Sequence, residues 1–429
     1  MQDLSPTSPE SKTTQVDAKL QPNKAYKWEV LGLLWVAFFI NQADRQVFNV
    51  VLPLIKADLA LTDVQVGSIA TVFNLVFALL VPLSGYVGDI YSRKWIIVVS
   101  ILFWSVATML TGLSSGVVML ILFRSVATGG GEAFFGPANY ALLASYHKKT
   151  RAFAMSIHQT SYYLGIILSG YVAGYVGEHY GWRSAFYVFG AVGVIHGLIL
   201  IFRLKDNKVS DQPVVKKKAD FLVAVKVLLA TPTAILLTVA FSGLIFVLVG
   251  YLTWAPTYLY EKFGMSLSEA GFHSMFYTHA FAFVGIILAG KFSDRLAIKD
   301  PGKRLVMQAV GLLGAVPFII VMGNAESLLI IYIGFAGFGF ARAFFDANTY
   351  SVLYDVIPAE YHSTVSGIMM MTGFSVGSIS PMALGYLKPI TGLAFGFTLL
   401  AAVWVVCGIV LLVAYRYYFK KDYENAHQS

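Results

Sequence analysis

Apolar residues in this chain neither alternate nor recur at every third or fourth position; they fill long runs separated by short polar intervals. The runs fall at roughly 28–54, 65–88, 95–113, 116–144, 152–177 and 184–203, and again at 233–259, 269–292, 305–323, 327–354, 363–387 and 393–418. Each is close to or above the roughly 20 residues that a helix needs to cross a bilayer. In hydrocarbon the backbone must bond within its own segment, so these runs predict helices. The expected fold is an all-α membrane protein with twelve transmembrane helices. The chain divides into 1–26, a polar disordered tail that lacks the apolar core of a signal peptide, 27–203, a first six-helix bundle, 204–232, a basic linker with Lys205, Lys208 and Lys216 to Lys218, 233–418, a second six-helix bundle, and 419–429, a tail.

The two halves resemble each other. Glu132-Ala-Phe-Phe-Gly-Pro-Ala-Asn-Tyr140 in the fourth run matches Arg342-Ala-Phe-Phe-Asp-Ala-Asn-Thr-Tyr350 in the tenth at an offset of 210, and Ser156 and Ser366 keep that offset. Gly85-Tyr-Val-Gly-Asp89 after the second run is echoed by Gly290-Lys-Phe-Ser-Asp294 after the eighth. Two copies of one unit in the same orientation predict parallel repeats around a central cavity.

Composition narrows the function. At 57% hydrophobic and 13% charged residues the chain is far from the roughly 25% charged content of soluble domains. Twelve spans nearly exhaust 429 residues, which excludes an appended nucleotide-binding, protease or kinase domain. The net charge of +8 does not mark a nucleic-acid binder, because of its distribution. With both termini inside, 24 of the 31 basic residues fall on the cytoplasmic side, against Lys56, Arg183, Lys262 and Lys388 outside. That asymmetry orients a protein of the plasma membrane or a cell inner membrane. Lone Cys407 excludes a disulfide framework, no hydrolase or phosphate-loop motif occurs, and neither enzyme activity nor a metal or cofactor is expected.

The loop after the second run reads Gly85-Tyr-Val-Gly-Asp89-Ile-Tyr-Ser-Arg93-Lys94. One reading is an ordinary charged turn; the other is a latch in which a carboxylate at a helix end accepts donors from a neighbouring helix. Here the sequence resembles the major facilitator superfamily, whose signature is Gly-x-x-x-Asp-Arg-x-Gly-Arg-Arg/Lys. Gly85, Asp89, Arg93 and Lys94 match, whereas Ile90 and Ser92 depart from it. The resemblance covers essentially the whole chain. It implies alternating access, with Gly85, Asp89, Arg93, Lys94 and, in the second copy, Asp294 as gating residues.

Ionisable residues inside the runs are few: Asp44, Arg45, Arg124, Glu132, Arg342 and Asp346, with Asp355 near a run's end. Each costs at least about 2.5 kcal/mol at the centre of a bilayer, so each needs a reason. Arg342 and Asp346, four apart, can simply pair on one helix face. Asp44 and Glu132 lie near mid-span among Asn41-Gln-Ala and Gly129-Gly-Gly, and a carboxylate in such surroundings beside an arginine can exchange a proton near neutral pH.

Asn-x-x-Asp-Arg in the first run, with Arg and Gly-x-Glu-Ala in the fourth, resembles two branches of the superfamily: the anion:cation symporters of sugar acids and other carboxylates, and the Spinster-type lipid transporters. Both branches imply Asp44 and Glu132 as proton carriers, and the first implies Arg45 as a contact for the substrate carboxylate. These families usually place the fourth-span Arg seven residues before the Glu. Arg124 and Glu132 are eight apart, which turns them about 80° out of alignment on an ideal helix unless Gly129 to Gly131 absorb the extra residue as a bulge.

Arg124, Asn139, His158, Gln159, Tyr162, Arg342, Asp346 and Asn348 complete the candidate substrate site; each alone can equally be an interhelical packing residue. Ser156-Ile-His158-Gln159-Thr160-Ser161-Tyr162 is too polar to face lipid and predicts that the fifth helix faces the cavity. The expected activity is proton-coupled symport of a small organic anion such as a sugar acid, by a monomer whose partners are that anion, protons and the lipid bilayer. The alternatives are a Spinster-like carrier of lysolipid or sphingoid molecules, which needs a lateral opening, and a transporter-like sensor, for which an output domain is lacking. A reporter fused after Ser429 or inserted near Asp211 should read out as cytoplasmic and one near Glu261 as external; an external signal from the linker would overturn the six-plus-six scheme.

Overall fold

A computed structural model describes residues 25–147, 150–206 and 221–428, apart from the side chains of Tyr86, Asp89, Ala152 and Gln428. The tail 1–24, Lys148, Lys149 and the linker stretch with Lys208 and Lys216 to Lys218 lie outside the described residues. The first half is built from α1 (Tyr26–Asp58), α2 (Asp63–Ile90), α3 (Arg93–Thr111), α4 (Val117–Tyr146), α5 (Arg151–Tyr180) and α6 (Trp182–Arg203). The second contains α7 (Pro232–Phe263), α8 (Leu267–Ala297), α9 (Lys303–Asn324), α10 (Leu328–Val356), α11 (His362–Gly377, continuing to 391) and α12 (393–413). The described residues are helical throughout and give twelve spans in two like halves.

Two differences from the sequence reading concern the segments outside the spans. Phe221–Ala230, expected as linker, is a short helix ahead of α7. The expected tail is helical over Phe419–Gln428 and is tied to the second half by Asp422, whose Oδ2 accepts from the Thr233 backbone N–H at 2.8 Å. That bond satisfies a donor that the start of α7 leaves open.

The repeat is visible in the physics of the helix ends. α2 and α8 both start with a reciprocal cap: Gln65 N–H donates to Thr62 Oγ1 at 3.2 Å while Thr62 N–H donates to Gln65 Oε1 at 2.8 Å, and Ser266 and Glu269 repeat the exchange. The α5–α6 and α11–α12 turns each pivot on a glycine, Gly181 at φ 84° and Gly392 at φ 77°. Only glycine takes that conformation without strain. Past the first pivot, Asp58 Oδ2 accepts from Arg183 Nη1 at 2.6 Å and Trp182 Nε1 at 3.1 Å, which fixes the end of α1 to the start of α6.

Among the described residues, nine helical segments are long and apolar enough to cross a membrane by themselves, the last holding both α11 and α12. The two spans outside that set are α1 and α5. They are packed against each other, with Gly165 against the Phe39 backbone and Trp35 Nε1 donating to Thr160 Oγ1 at 2.9 Å. Their polar residues are thereby turned away from lipid.

The halves meet at the end remote from the linker. α2 touches α11 where Gly67 faces the Pro381 backbone, and α5 touches α8 where Gly174 faces Leu267 and Ser268. Lys388 Nζ lies 3.1 Å from Asp63 Oδ1 across this contact and 2.6 Å from Glu261 Oε1. A side chain at Gly174 would collide with the α8 backbone. Gly174→Val should therefore hold this end open, and a cysteine placed at Thr253 in a Cys407→Ser background should become reachable by a membrane-impermeant maleimide from the far side. Unchanged labelling of a folded variant would show that the glycine contact does not control closure.

Candidate functional site

A cavity of about 540 Å³ lies between the halves. Among the described residues its charged lining is Arg45, Arg124 and Glu132, all from the first half. The second half contributes neutral groups, among them Ile245, Val249, Thr253, Tyr350, Met370 and Phe374. The cavity is thus charged on one wall and apolar or hydroxylic on the other.

On the charged wall, Arg45 Nε is 2.5 Å from Glu132 Oε2, and the Glu132 side chain is fully buried. The Arg45 guanidinium also lies 4.2 Å from the Phe77 ring centre, a cation–π contact that holds it against α2. Arg124 Nη2 donates to the Arg45 carbonyl at 3.0 Å, and its guanidinium sits 4.3 Å from the centre of the Phe73 ring. Its Nε and Nη1 are buried without a hydrogen-bond partner among the described residues. Asp44 is 3% exposed behind this wall and accepts from Thr108 Oγ1 at 2.7 Å. Unmatched donors of this kind are costly inside a protein.

The eight-residue spacing of Arg124 and Glu132 has a local solution. Residues Ile121–Thr128 are π-helical, so one extra residue is absorbed before α4 resumes at Gly129. Both side chains then reach the cavity. Gly129 to Gly131, expected to be the bulge, are regular helix. Gly129 and Gly131 serve close packing instead: a Cβ at Gly129 would lie 3.1 Å from Phe73, and one at Gly131 would lie 2.8 Å from Phe103. Glu132 takes Arg45 rather than Arg124 as its ion-pair partner.

Other candidates sit elsewhere. Asn139 Nδ2 and His158 Nε2 meet at 2.9 Å, fully buried behind Phe38 and Tyr140, which themselves line the cavity. The His158 ring stacks on Phe38 at 4.8 Å, so it is a packed residue of the α1–α5 seam. Gln159 is half-buried on α5 outside the cavity lining, and Tyr162 is in the lining. Arg342 and Asp346 form an i, i+4 pair at 3.5 Å on α10, behind the wall and within electrostatic reach of Tyr162. Asn348, at the break in α10, donates to Ser293 Oγ and to the Phe344 carbonyl, both at 2.8 Å. These bonds face α8 and the helix itself, which turns Asn348 from the lining.

The gating candidates are at the linker end. Gly85 faces open space, Lys94 Nζ donates to the Ile201 carbonyl at 2.8 Å within its own half, and Asp294 takes Arg304 at 3.3 Å. Arg304 also bonds Asp355 at 2.9 Å. Arg93 opens α3, and the side chain of Asp89 lies outside the described residues. Ser92, a departure from the superfamily signature, caps α3 by accepting from Trp95 N–H at 3.3 Å.

Sequence reading passed over the aromatic lining, Phe38, Phe48, Phe73, Phe77 and Phe374, because phenylalanine in a membrane span carries no signal of which way it faces. Tyr140 and Tyr350, which the sequence shows only as the same position of the two repeats, also line the cavity.

Two like halves of six membrane helices, joined at one end around a cavity with buried charge, define the architecture of a multi-pass membrane transporter. Residues 34–381 match the Major Facilitator Superfamily, and the chain belongs to that family. A probable sulfoacetate transporter of Cupriavidus necator is 32% identical over 388 residues, covering 85% of this chain and 87% of that one. A probable galactarate/D-glucarate transporter of Bacillus subtilis is 25% identical over 441 residues, 94% and 96% of the two chains. A solved bacterial homologue of the human lysosomal transporter Spinster, in an inward-facing and unoccupied conformation, shares the fold with a TM-score of 0.77 at 23% identity, covering 94% and 99%.

The π-helical turn makes a specific prediction. Deleting Ala127 should convert it to α-helix and leave Arg124 and Glu132 on one face, so transport should survive. Inserting an alanine after Ala127 should rotate Arg124 by about 100° and abolish transport with insertion into the membrane retained. Equal activity of the two variants, measured by uptake in cells, would refute this account of the spacing.

Proposed function

We propose that this protein is a symporter that couples entry of a small organic anion to protons, with Arg45 and Arg124 as the anion contacts and Asp44 and Glu132 as the proton carriers. The observation that carries the reading is the ion pair of Arg45 with Glu132 inside the cavity. While Glu132 is ionised it occupies the guanidinium that an acid group would need. A proton on Glu132 releases Arg45, and the substrate's acid group takes the vacated donors together with those of Arg124. Bidentate pairing with guanidinium suits a carboxylate or sulfonate. When the proton leaves toward the alkaline side, Glu132 reclaims Arg45 and expels the substrate.

By the basic-residue asymmetry the linker end is cytoplasmic, so the state described is inward-facing. The six-helix units 27–203 and 233–418 then rock about the cavity. We assign Gly85, Asp89, Arg93, Lys94 and Asp294 to the latch of the opposite, outward-facing state. Relatives named for sulfoacetate and for galactarate or glucarate support an organic acid as cargo. The phenylalanine-lined walls suit a lipid tail as well, and this keeps a Spinster-like carrier as the second reading.

Uptake into proteoliposomes separates the readings. Glu132→Gln and Asp44→Asn should abolish accumulation driven by a pH gradient while exchange of substrate for substrate survives. Arg45→Lys keeps the charge but loses the planar fork, and affinity for the anion should fall about tenfold, equivalent to about 1.4 kcal/mol. Normal binding by Arg45→Lys together with accumulation by both carboxylate variants would overturn proton-coupled anion transport, and competition by lysolipid alone would favour the second reading.

A further inference from the structure

Two short helices lie outside the spans at the linker end, and they differ in what they turn outward. Phe419–Gln428 exposes Lys420, Lys421, Glu424 and His427, the surface of a helix in water. Phe221–Ala230 does the reverse: Phe221, Leu222, Val223 and Leu229 are between 37% and 66% exposed, and Lys226 is its one charged residue. Its other face is apolar as well, with Ala224 and Leu228 buried and Val225 and Val227 packed beside them, and this face rests on α7 and α11.

A helix that is apolar all round needs a second apolar surrounding besides the helices it already packs on. Water is not such a surrounding. At about 15 Å the helix reaches across half of the roughly 30 Å of bilayer hydrocarbon, so it cannot span it. It is joined to α7 through Thr231 alone, whose N–H donates to the Leu228 carbonyl at 3.2 Å and whose Oγ1 donates to the Val227 carbonyl at 2.9 Å. The helix is therefore held where a span enters the membrane. Lying in the interface, with the outer face at the boundary of headgroups and acyl chains, satisfies both of its faces.

Charge selects the lipid. Leu222, Lys226 and Leu229 share one stripe of the helix, so the Lys226 stem runs between two leucines while its ammonium extends to the headgroups. Across the junction, Asp422 is turned inward and accepts from the Thr233 backbone N–H, which places Lys420 and Lys421 at the foot of α7 with their charges outward. Glu424 lies further along the tail helix. We propose that the linker helix Phe221–Ala230 is an interfacial anchor that seats its outer face in the leaflet at the linker end and recruits acidic phospholipid there through Lys226, Lys420 and Lys421.

This anchor depends on the membrane fold alone and is independent of the cargo. α7 and α11 carry Val249, Thr253, Met370 and Phe374 of the cavity's neutral wall, and both are fixed to the anchor. A tilt of that wall has to carry the anchor along the membrane surface, so the lipid held there bears on the movement of the second half.

The test uses the full-length protein in proteoliposomes, with a bimane label on Leu229→Cys and, as a control, on His427→Cys, both in a Cys407→Ser background. Brominated acyl chains should quench the label at 229 and spare the one at 427, and iodide present on both sides should do the opposite. At equal mole fraction, brominated phosphatidylglycerol should reach the 229 label about fivefold more effectively than brominated phosphatidylcholine. Lys226→Gln combined with Lys420→Gln and Lys421→Gln should bring the two lipids to parity. Arginine at the same three positions should keep the preference, which separates lost charge from lost structure. Iodide quenching at 229 equal to that at 427 overturns the anchor. Equal quenching by the two lipids with the lysines in place, or a preference that survives their loss, overturns the acidic-lipid site.

Discussion

Charge inside a membrane must be matched within the reach of a side chain, and the first half of this protein is organised around that requirement. Asp44, Arg45, Arg124 and Glu132 come from two helices, and none is tolerable alone at its depth. Arg45 reaches Glu132, Arg124 reaches the backbone of Arg45, Thr108 serves Asp44, and Phe73 and Phe77 lie against the guanidinium groups. The π-helical turn in α4, the glycines that bring α4 against α2 and α3, and the pairing of α1 with α5 are the structural conditions of this one arrangement.

The repeat divides this work unevenly. Scaffold features occur twice: capping boxes at the start of α2 and α8, and glycine pivots between α5 and α6 and between α11 and α12. The chemistry occurs once. Glu132 corresponds to Arg342, which pairs with Asp346 one turn along its own helix, so the second half keeps its charges on one helix where the first spreads them over two. One half thus lines the cavity with charge, and the other supplies a neutral wall.

Much of the fold was legible because long apolar runs admit one answer in a bilayer, and the charged residues stood out because each is expensive there. Arg45 and Glu132 needed only that argument to be singled out. What remained hidden was direction. Periodicity is weak when every face of a helix is apolar, so nothing in the sequence places Asn139 and His158 behind Phe38 or Phe77 beneath Arg45. The spacing of Arg124 and Glu132 announced an irregularity, but its place lay one turn earlier than the glycines indicated, because Gly129 and Gly131 are fully occupied in packing against α2 and α3.

The polarity of α1 and α5 reaches back to how the molecule is made. Nine helical segments among the described residues are long and apolar enough to cross a membrane by themselves; α1, with Asp44 and Arg45 at its centre, and α5, with its run of hydroxyls, histidine and glutamine, lie outside that group. Their polar faces are satisfied by one another and by α4. α1 therefore meets its polar partners only after α4 and α5 have emerged, so the charged cluster of this half closes late in synthesis. The residues that charge the cavity wall are the same ones that tie α1 to helices made after it.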